Sequence, residues 1–294
     1  MDLTYTSQRA GRLSSILQNE MRLSSGLMNK LKWGDAIRVN GVPQRTNYEV
    51  LPGDVVTVRL DEEAPQYPAE QGPLSILWED EHILVVDKPA GMLIHPSRSK
   101  NDGTLANLVY GYYEATGQKS AFHPVTRLDR DTFGITLLAK NAYVHTLLQQ
   151  TAIVKTYHAL TLGGPDSDSG TIDAPIARKP LPSLLREIHP EGKPSVTEYR
   201  VLWRNGALCK LSLRPVTGRT HQLRLHCAHM GFPILGDPQY GSEESRAYSA
   251  QMGLASQMLC AKRLQFVHPI TQEDLTLESG LDVDEKSMKK REIV

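Results

Sequence analysis

The spacing of apolar and polar residues changes several times along the chain and predicts a mixture of helices and strands. Apolar residues that recur three and four positions apart predict helices, whereas alternating or continuous β-branched runs predict strands. Helices are expected over residues 11–18, 25–33, 104–114 and 142–151. Strands are expected over residues 55–60, 83–86, 134–139, 156–162, 197–202 and 207–213.

These strands follow one another through irregular loops, without the regular strand–helix–strand order of a parallel sheet. Such an order predicts an α+β fold built on a mixed, mainly antiparallel β-sheet. No glycine-rich phosphate loop follows a strand, and no internal repeat is visible. Chemistry that depends on ATP or NAD is therefore not expected.

Two domains are predicted, because a stretch without apolar periodicity separates two patterned regions. Residues 1–64 form a small unit whose strands are joined at an Asn40-Gly41 turn. Residues 65–73 belong to a segment rich in proline and acids and are interpreted as an extended linker. Residues 74–294 form the larger domain, which ends in an acidic tail.

The composition is that of an ordinary soluble protein, with 294 residues, 40% hydrophobic and 22% charged. No apolar run reaches the roughly 18 residues of a membrane span, and the first residues lack the features of a signal peptide. A cytoplasmic protein is therefore expected. The three cysteines, Cys209, Cys227 and Cys260, are odd in number and widely spaced, which predicts buried free thiols.

Charge is unevenly distributed, although the formal net charge is zero. Residues 119–230 hold fifteen Lys and Arg against eight Asp and Glu, and the balancing acids lie at residues 62–81 and 282–285. A basic middle with acidic flanks predicts a basic cleft that binds a nucleic acid.

One segment, residues 122–134, places the carboxylate of Asp129 between Arg127 and Arg130. Adjacent guanidiniums favour an ionised carboxylate and also hold phosphates by bidentate hydrogen bonds. That combination suits an enzyme in which Asp129 attacks or abstracts while the arginines hold the phosphates of a nucleic acid. A surface salt-bridge cluster would have the same composition, so this segment alone leaves both interpretations open.

A second candidate segment is the strand around residues 154–160. Its period of two places Lys155 and Tyr157 on one face, where a phosphate contact and a stacking ring would lie together. A half-exposed edge strand with a tyrosine at its rim is the simpler alternative.

A third candidate segment, residues 214–230, is predicted to turn at Gly218 into a helix with Thr220 as its N-cap. His221 and Arg224 would then lie close together, beside a helix N-terminus that favours an anion. A solvated amphipathic helix is the alternative.

No metal site is expected, although four candidate ligands lie between His221 and His229. His221 and His226 lack the i and i+4 spacing of a helical ligand pair, and no clear third ligand accompanies them. Residues 88–91 and 231–237 are interpreted as structural turns.

Four segments in this order resemble the signature of the RluA-type pseudouridine synthases. They are residues 88–92 (KPAGM), 126–132 (TRLDRDT), 155–157 (KTY) and 217–226 (TGRTHQLRLH). The resemblance covers about residues 74–277, and residues 39–41 and 52–54 make the N-terminal unit similar to a small αL-type RNA-binding domain. Two positions depart from the family pattern: Thr126 replaces the usual His, and Phe133 replaces the usual Ser.

The resemblance implies a cofactor-independent isomerase that acts on uridine in folded RNA. The bond from uracil to ribose is broken, the base rotates, and it is rejoined through carbon 5. Asp129 matches the essential carboxylate, and Arg224 the arginine that pairs with it. Tyr157 matches the tyrosine that stacks on the target base and is a candidate to take the carbon 5 proton. Arg127 matches the residue that fills the RNA helix when the uridine flips out.

Further RNA contacts are expected from Arg130, Lys155, Arg219 and His221. Large-subunit ribosomal RNA is the usual substrate of family members with this N-terminal domain, and transfer RNA is the alternative. We expect a monomer that needs neither a metal nor another cofactor.

Three questions stay open at this point. Asp129 could add to the anomeric carbon or remove a ribose proton. A non-catalytic RNA-binding protein, such as a ribosome assembly factor, would need the basic cleft but not Asp129. A nucleoside glycosidase would need paired carboxylates, for which only Asp131 lies near Asp129, and the intact motifs favour the synthase.

Overall fold

The computed structural model describes residues 1–60, 65–97, 100–183 and 185–283. The helices are α1 (Leu13–Ser15, continued by a π-helical turn over Ile16–Glu20), α2 (Ser25–Leu31), α3 (Leu105–Ala115), α4 (Ala142–Gln150), α5 (Gln222–His229) and α6 (Glu243–Gln251). The strands are β1 (Asp2–Thr6), β2 (Gly11–Arg12), β3 (Ile37–Val39), β4 (Val42–Pro43), β5 (Glu49–Val50), β6 (Val55–Arg59), β7 (Ser75–Glu79), β8 (Ile83–Lys88), β9 (His123–Pro124), β10 (Phe133–Ala139), β11 (Val154–Leu162), β12 (Ser169–Asp173), β13 (Ile176–Arg178), β14 (Arg186–Ile188), β15 (Val196–Asn205), β16 (Leu208–Pro215), β17 (Leu259–Val267) and β18 (Asp274–Glu278).

The N-terminal unit packs α1 and α2 against a four-stranded sheet in the order β1-β6-β3-β4. Asn40 and Gly41 both have positive φ angles and form the turn between β3 and β4. This is the hairpin that the Asn-Gly pair predicts, because both central residues of such a turn need φ above zero. Leu13, Leu17 and Val56 are fully buried in a core of the unit's own.

The larger unit is built on one sheet with the strand order β12-β15-β16-β11-β17-β10-β8-β7, with β18 beside β17 and β9 beside β10. Helix α3 covers one face of β8 through Leu84 and Val86, while Ile83 and Val85 pack in a cluster with α4 on the other face. Burial on both faces explains why this strand is a continuous apolar run instead of an alternating one.

β10 and β17 form the one parallel pair described in this sheet, through Phe133 opposite Cys260 and Gly134 opposite Ala261. Gly134 has a φ of +104°, and a Cβ atom there would lie 2.3 Å from the carbonyl oxygen of Ala261. Glycine is therefore required where the two backbones approach. This seam joins the β7-β8-β10 half of the sheet to the half that begins at β17.

The last described residues pack against strands β11 and β16 of the sheet. The Asp282 carboxylate lies 3.0 Å from His158 Nδ1 on β11 and 3.1 Å from Lys210 Nζ on β16. Val283 is fully buried in the core of the same half. The rest of the predicted acidic tail, residues 284–294, lies outside the described residues.

The α+β class with a mixed, mainly antiparallel sheet is confirmed, and the predicted helices and strands differ from the observed ones chiefly at their ends. The predicted cap of α5 is wrong: Thr220 lies outside the helix, and His221 occupies the cap position with no side-chain cap bond. Within the described residues, no helix combines the length and apolar character needed to cross a bilayer.

The predicted linker is extended but not free of contacts. Glu70 donates its backbone N–H to Asn107 in α3, and the Gln71 side chain donates to the carbonyl oxygen of Gly111. Gly111 allows this approach, because a Cβ there would lie 1.9 Å from the Glu70 oxygen. The division of the chain into two domains at this segment stays a prediction.

Candidate active site

A cleft of about 700 Å³ opens above the seam between β10 and β17. It is bounded by the loop before β10, the start of β11, and the loop that leads from β16 into α5. All eight residues predicted for the site line this cleft: Arg127, Asp129, Arg130, Lys155, Tyr157, Arg219, His221 and Arg224. The structure thus brings together three segments that are far apart in sequence.

The carboxylate of Asp129 is paired by a distant arginine and not by its neighbours. Arg224 Nη1 lies 3.2 Å from Asp129 Oδ2. Arg130 instead makes two hydrogen bonds of 2.9 Å to the carboxylate of Asp131. The expectation that Asp129 sits between its two flanking guanidiniums is therefore wrong, because these side chains point to the exposed rim of the loop.

Arg224 is a buried anchor, with only 5% of its side chain exposed. Its Nε and Nη2 donate to the two carboxylate oxygens of Asp237 at 2.7 and 2.8 Å, and Nη2 also donates to Gln239 at 2.8 Å. Burial alone opposes its charge, but the hydrogen bonds and charges of Asp237 and Asp129 keep the pKa of Arg224 raised. The guanidinium is thus fixed in one orientation by acceptors on the loop before α6.

His221 approaches the same carboxylate from the start of α5. Its Nε2 lies 3.8 Å from Asp129 Oδ2, and its Nδ1 lies 2.8 Å from the Tyr240 hydroxyl oxygen. The backbone of His221 is left-handed, with a φ of +59°, a conformation that costs a non-glycine residue about 1 kcal/mol or more. Burial lowers the pKa of His221, although Asp129 opposes that shift.

The buried side chain of Gln222 holds the strained turn in place. Its carbonyl oxygen accepts hydrogen bonds from the Thr217 hydroxyl at 2.9 Å and from the Arg219 N–H at 3.0 Å. Its amide nitrogen donates to the carbonyl oxygen of Val196 at 2.9 Å. The loop that carries Arg219 and His221 is therefore tied to β15.

Tyr157 and Lys155 project into the cleft from one face of β11. The bulge in this region lies on β17, where Lys262 is skipped in the pairing, so the alternation along β11 is preserved. Burial, together with the charge of Asp129, raises the pKa of Tyr157, and burial lowers the pKa of Lys155. The phenol is thus protonated at neutral pH, beside a lysine for which the described residues supply no carboxylate partner.

A buried lysine supports the loop from beneath. Lys88 Nζ donates to the carbonyl oxygens of Pro89, Met92 and Arg130, each at 2.9 Å. Burial lowers the pKa of Lys88 to about 7, although Asp131 and Asp129 favour its charged form. This lysine ties the loop that carries Asp129 to the end of β8, as expected for a structural turn.

The remaining cations lie toward the solvent. Arg127 is exposed, and Arg219 is exposed with its Nε donating to the carbonyl oxygen of Pro194 at 3.2 Å. The two departures from the family pattern are both accommodated: Thr126 is buried and accepts the N–H of Leu137 at 2.9 Å, and Phe133 fills the core beside the seam.

The predicted buried thiols are confirmed, since Cys209, Cys227 and Cys260 are all buried and unpaired. Burial raises the pKa of each. In the part of the chain that the structure describes, no group of three or more His, Cys, Asp or Glu side chains has the geometry of a metal site. His226 is enclosed instead by structural hydrogen bonds to Thr197 and Ala174.

Asp237, Gln239 and Tyr240 were not predicted as site residues, because residues 231–237 have the composition of a turn. One sequence signal points to them. A buried arginine has five N–H donors, so Arg224 needs more acceptors than Asp129 alone supplies, and Asp237 is the first acid after it.

Comparisons with known proteins agree with this geometry. The family model described as RNA pseudouridylate synthase matches residues 82–229, which include Lys88, Asp129, Tyr157 and Arg224. A Bacillus subtilis (strain 168) protein named "Uncharacterized RNA pseudouridine synthase YjbO" is 35% identical over 93% of this chain and 96% of its own length.

Two further comparisons show similarity to this chain, one with a protein whose name states its substrate and one with a solved structure. Ribosomal large subunit pseudouridine synthase D of Escherichia coli (strain K12) is 35% identical over 84% of this chain and 80% of its own length. The structure of human RNA pseudouridylate synthase domain containing 4 is 25% identical, with a TM-score of 0.59, over 74% of this chain and 92% of its own. The chain therefore belongs to the RNA pseudouridylate synthase family, as an RluA-type member.

Proposed function

We propose that this protein isomerises specific uridines to pseudouridine in a structured RNA, with Asp129 as the reacting carboxylate. The observation that carries the proposal is the pairing of Asp129 with the buried Arg224 in a cleft that also presents Tyr157. Asp129 keeps 32% of its side chain exposed, so a substrate can reach the carboxylate while Arg224 fixes it from behind.

The reaction needs no added atoms. The bond between uracil N1 and ribose C1′ breaks, the base rotates, a bond forms between C5 and C1′, and the C5 proton is finally lost while N1 gains one. Asp129 serves either by adding to C1′ or by removing a ribose proton, and both routes require a positioned, negatively charged oxygen.

Tyr157 is suited to hold the base during its rotation. A protonated phenol is a poor base, so the raised pKa of Tyr157 favours stacking and hydrogen bonding over removal of the C5 proton. We infer that Tyr157 packs against the uracil while Asp129 acts at the sugar.

The cations around the cleft are suited to bind the RNA backbone and to replace the extruded base. Lys155 and Arg219 lie on the walls of the cleft, where phosphate groups would pass. Extruding a nucleotide costs a few kcal/mol, and a guanidinium plane such as that of the exposed Arg127 offsets part of that cost by stacking in the gap. Arg130 and His221 complete the set of proposed RNA contacts.

We propose large-subunit ribosomal RNA as the substrate. The support comes from two relatives whose names state this substrate, the Escherichia coli (strain K12) protein above and ribosomal large subunit pseudouridine synthase C of Vibrio cholerae, which is 31% identical over 92% of this chain and 90% of its own length. The N-terminal unit, with its own core and its similarity to a small RNA-binding domain, fits a large structured RNA better than a free nucleoside.

The test is to map pseudouridines in RNA from cells that lack the protein, after treatment with wild-type protein, Asp129→Asn or Asp168→Asn. Asp168 is an exposed carboxylate paired with Arg204, so Asp168→Asn matches the change in charge away from the cleft. We expect wild type and Asp168→Asn to restore a specific pseudouridine and Asp129→Asn to restore none. Full restoration by Asp129→Asn would show that Asp129 is not the reacting carboxylate, whereas failure of wild type to restore any pseudouridine would instead support a non-catalytic RNA-binding protein.

A further inference from the structure

The indole of Trp33 is an apolar surface that the fold leaves uncovered. It follows α2 at the edge of the N-terminal unit, and 74% of the residue is exposed. Trp33 is the one tryptophan among the exposed large hydrophobic residues of the described chain, since Trp78 and Trp203 are partly buried. An exposed aromatic ring with cations nearby has the features of a stacking platform for an unpaired base.

Two cations lie over this ring in cation–π contacts, although most of the residue stays exposed. Lys32 Nζ lies 5.2 Å and Arg45 Cζ 5.3 Å from the ring centroid, and Arg45 is fixed by a hydrogen bond of 3.0 Å to the carbonyl oxygen of Lys32. Within the described residues, no carboxylate forms a salt bridge with either cation. A shallow depression of about 210 Å³, whose charged lining residues are Lys30, Asp35 and Arg59, lies next to the end of α2.

We propose that Trp33 stacks on an unpaired base of the RNA, while Lys32 and Arg45 contact the phosphates on either side of it. The proposal rests on the proposed function, in which the substrate is RNA, and it assigns the N-terminal unit a single-stranded segment of that RNA. Unpaired cations beside the ring favour a polyanion over an apolar protein partner.

The test is to titrate full-length protein with a short, unstructured oligouridylate and to follow tryptophan fluorescence and affinity. We expect quenching in wild type, about tenfold weaker binding by Trp33→Ala, and a smaller loss in Trp33→Phe, which keeps a ring. Val42→Ala removes another exposed apolar side chain of the same unit and should bind like wild type.

Repeating the titration with Asp129→Asn separates this proposal from the proposed function, because binding is measured without catalysis. Unchanged affinity in Trp33→Ala would overturn the stacking site. A change in oligomeric state in Trp33→Ala, with RNA affinity unchanged, would overturn it in favour of a protein interface.

A second inference concerns Tyr240, which contacts both partners of Asp129. Its ring lies 5.0 Å from the guanidinium carbon of Arg224, and its hydroxyl oxygen is 2.8 Å from His221 Nδ1. The same oxygen accepts the backbone N–H of Arg186 at 3.0 Å. A tyrosine hydroxyl has one proton to donate, and with the Arg186 N–H in one acceptor position, His221 Nδ1 is the acceptor within 2.8 Å of that hydroxyl.

This arrangement favours a proton on one particular nitrogen of His221. A neutral imidazole that accepts at Nδ1 must carry its proton on Nε2, the atom that lies 3.8 Å from Asp129 Oδ2. We propose that Tyr240 is a positioning residue that fixes His221 as the Nε2–H tautomer directed at Asp129. This inference also rests on the proposed role of Asp129.

The tautomer is directly measurable by nitrogen NMR of protein labelled in its histidines, with the His221 signals assigned by comparison with His221→Gln. We expect an Nε2–H tautomer in wild type and a shift toward Nδ1–H in Tyr240→Phe, which keeps the ring over Arg224 but lacks the hydroxyl. The same variant should lose about tenfold in kcat with little change in KM, because the Nε2–H directed at Asp129 no longer helps to hold the carboxylate in place.

The NMR result does not depend on RNA or on turnover, so it stands even if the proposed function fails. An Nδ1–H tautomer in wild type would overturn the assignment, as would Tyr240→Phe with an unchanged tautomer. An altered tautomer with unchanged kcat would overturn the positioning role.

Discussion

Arg224 pairs with Asp129 across 95 positions of sequence, with Nη1 3.2 Å from Oδ2. The contact joins the loop before β10 to helix α5 on the other side of the seam. The carboxylate of Asp129 is therefore oriented by tertiary structure and not by the arginines next to it in the chain.

The branched guanidinium of Arg224, with its several N–H donors, is expected to matter more for catalysis than its charge alone. Arg224→Lys keeps a cation but cannot contact Asp129, Asp237 and Gln239 together, so Asp129 should lose its fixed position. A misplacement of about 1 Å costs roughly 100-fold in rate, and we expect a loss of that size in kcat with RNA affinity largely retained. Arg214→Lys alters an exposed pair with Glu198 and is the control. A wild-type kcat in Arg224→Lys would contradict this role.

Asp237 should contribute to stability as well as to activity. Asp237→Asn removes the charge that compensates the buried Arg224, and breaking a buried ion pair costs about 3–5 kcal/mol. Urea denaturation would measure this loss. Asp168→Asn breaks the exposed pair with Arg204 and should cost at most about 1 kcal/mol. Equal losses in the two variants would show that burial of the Arg224 pair is energetically unimportant.

The seam should not tolerate a methyl group at Gly134. In Gly134→Ala the new Cβ would collide with the carbonyl of Ala261 at a φ that alanine rarely adopts, and we expect a loss of about 3 kcal/mol or more. Thermal denaturation is the measurement. Gly11→Ala has open space around its Cβ and should change stability by less than about 0.5 kcal/mol. A melting temperature of Gly134→Ala close to wild type would contradict the close approach.

The stability contributed by the contacts of Asp282 with His158 and Lys210 should depend on pH. Burial opposes ionisation of Asp282, but hydrogen bonds from His158, the Val283 N–H and Lys210, together with the charge of His158, lower its pKa below the unfolded value of 3.8. Its stabilising contribution is therefore complete above about pH 4 and is lost as pH falls toward the lowered folded pKa. Asp282→Asn should cost about 2 kcal/mol at pH 7, and less than that at pH 3. A difference from wild type that grows on acidification would contradict the assignment.

Removal of residues 1–64 tests the predicted domain boundary. The remaining chain keeps the cores around α3 and β8, so we expect it to fold, to bind RNA more weakly and to show a shallower dependence of affinity on salt. Salt titrations of RNA binding measure the change. If the shortened protein is insoluble, the boundary is wrong.

Local features of the sequence predicted the fold class, most of the helices and strands β8, β10, β11, β15 and β16, but not β7, β12, β17 or β18. The run from Ile83 to Val86 is apolar throughout, and the structure buries it between α3 and α4. The same reasoning applies to β10. Its apolar run and Gly134 both reflect contacts on the two faces of the strand. Such patterns are informative since each residue reports its own burial.

The pairing within the site could not be predicted in this way. Arg127 and Arg130 are the nearest cations to Asp129 in sequence, but the loop directs them outward, and only the approach of β10 to β17 brings Arg224 within reach. The prediction of the N-cap residue of α5 was wrong for a related reason. Thr220 has the better capping side chain, but Gln222 ties the turn to β15 and leaves His221 at the cap with a positive φ.

The seam between β10 and β17 also orders events during synthesis of the protein. Asp129 leaves the ribosome well before Arg224, and the strand that joins their two halves of the sheet, Leu259–Val267, follows later still. A nascent chain shorter than this therefore carries the carboxylate without its partner in place. Formation of the pair between Asp129 and Arg224 is therefore expected to be a late event, after β17 has joined the two halves of the sheet.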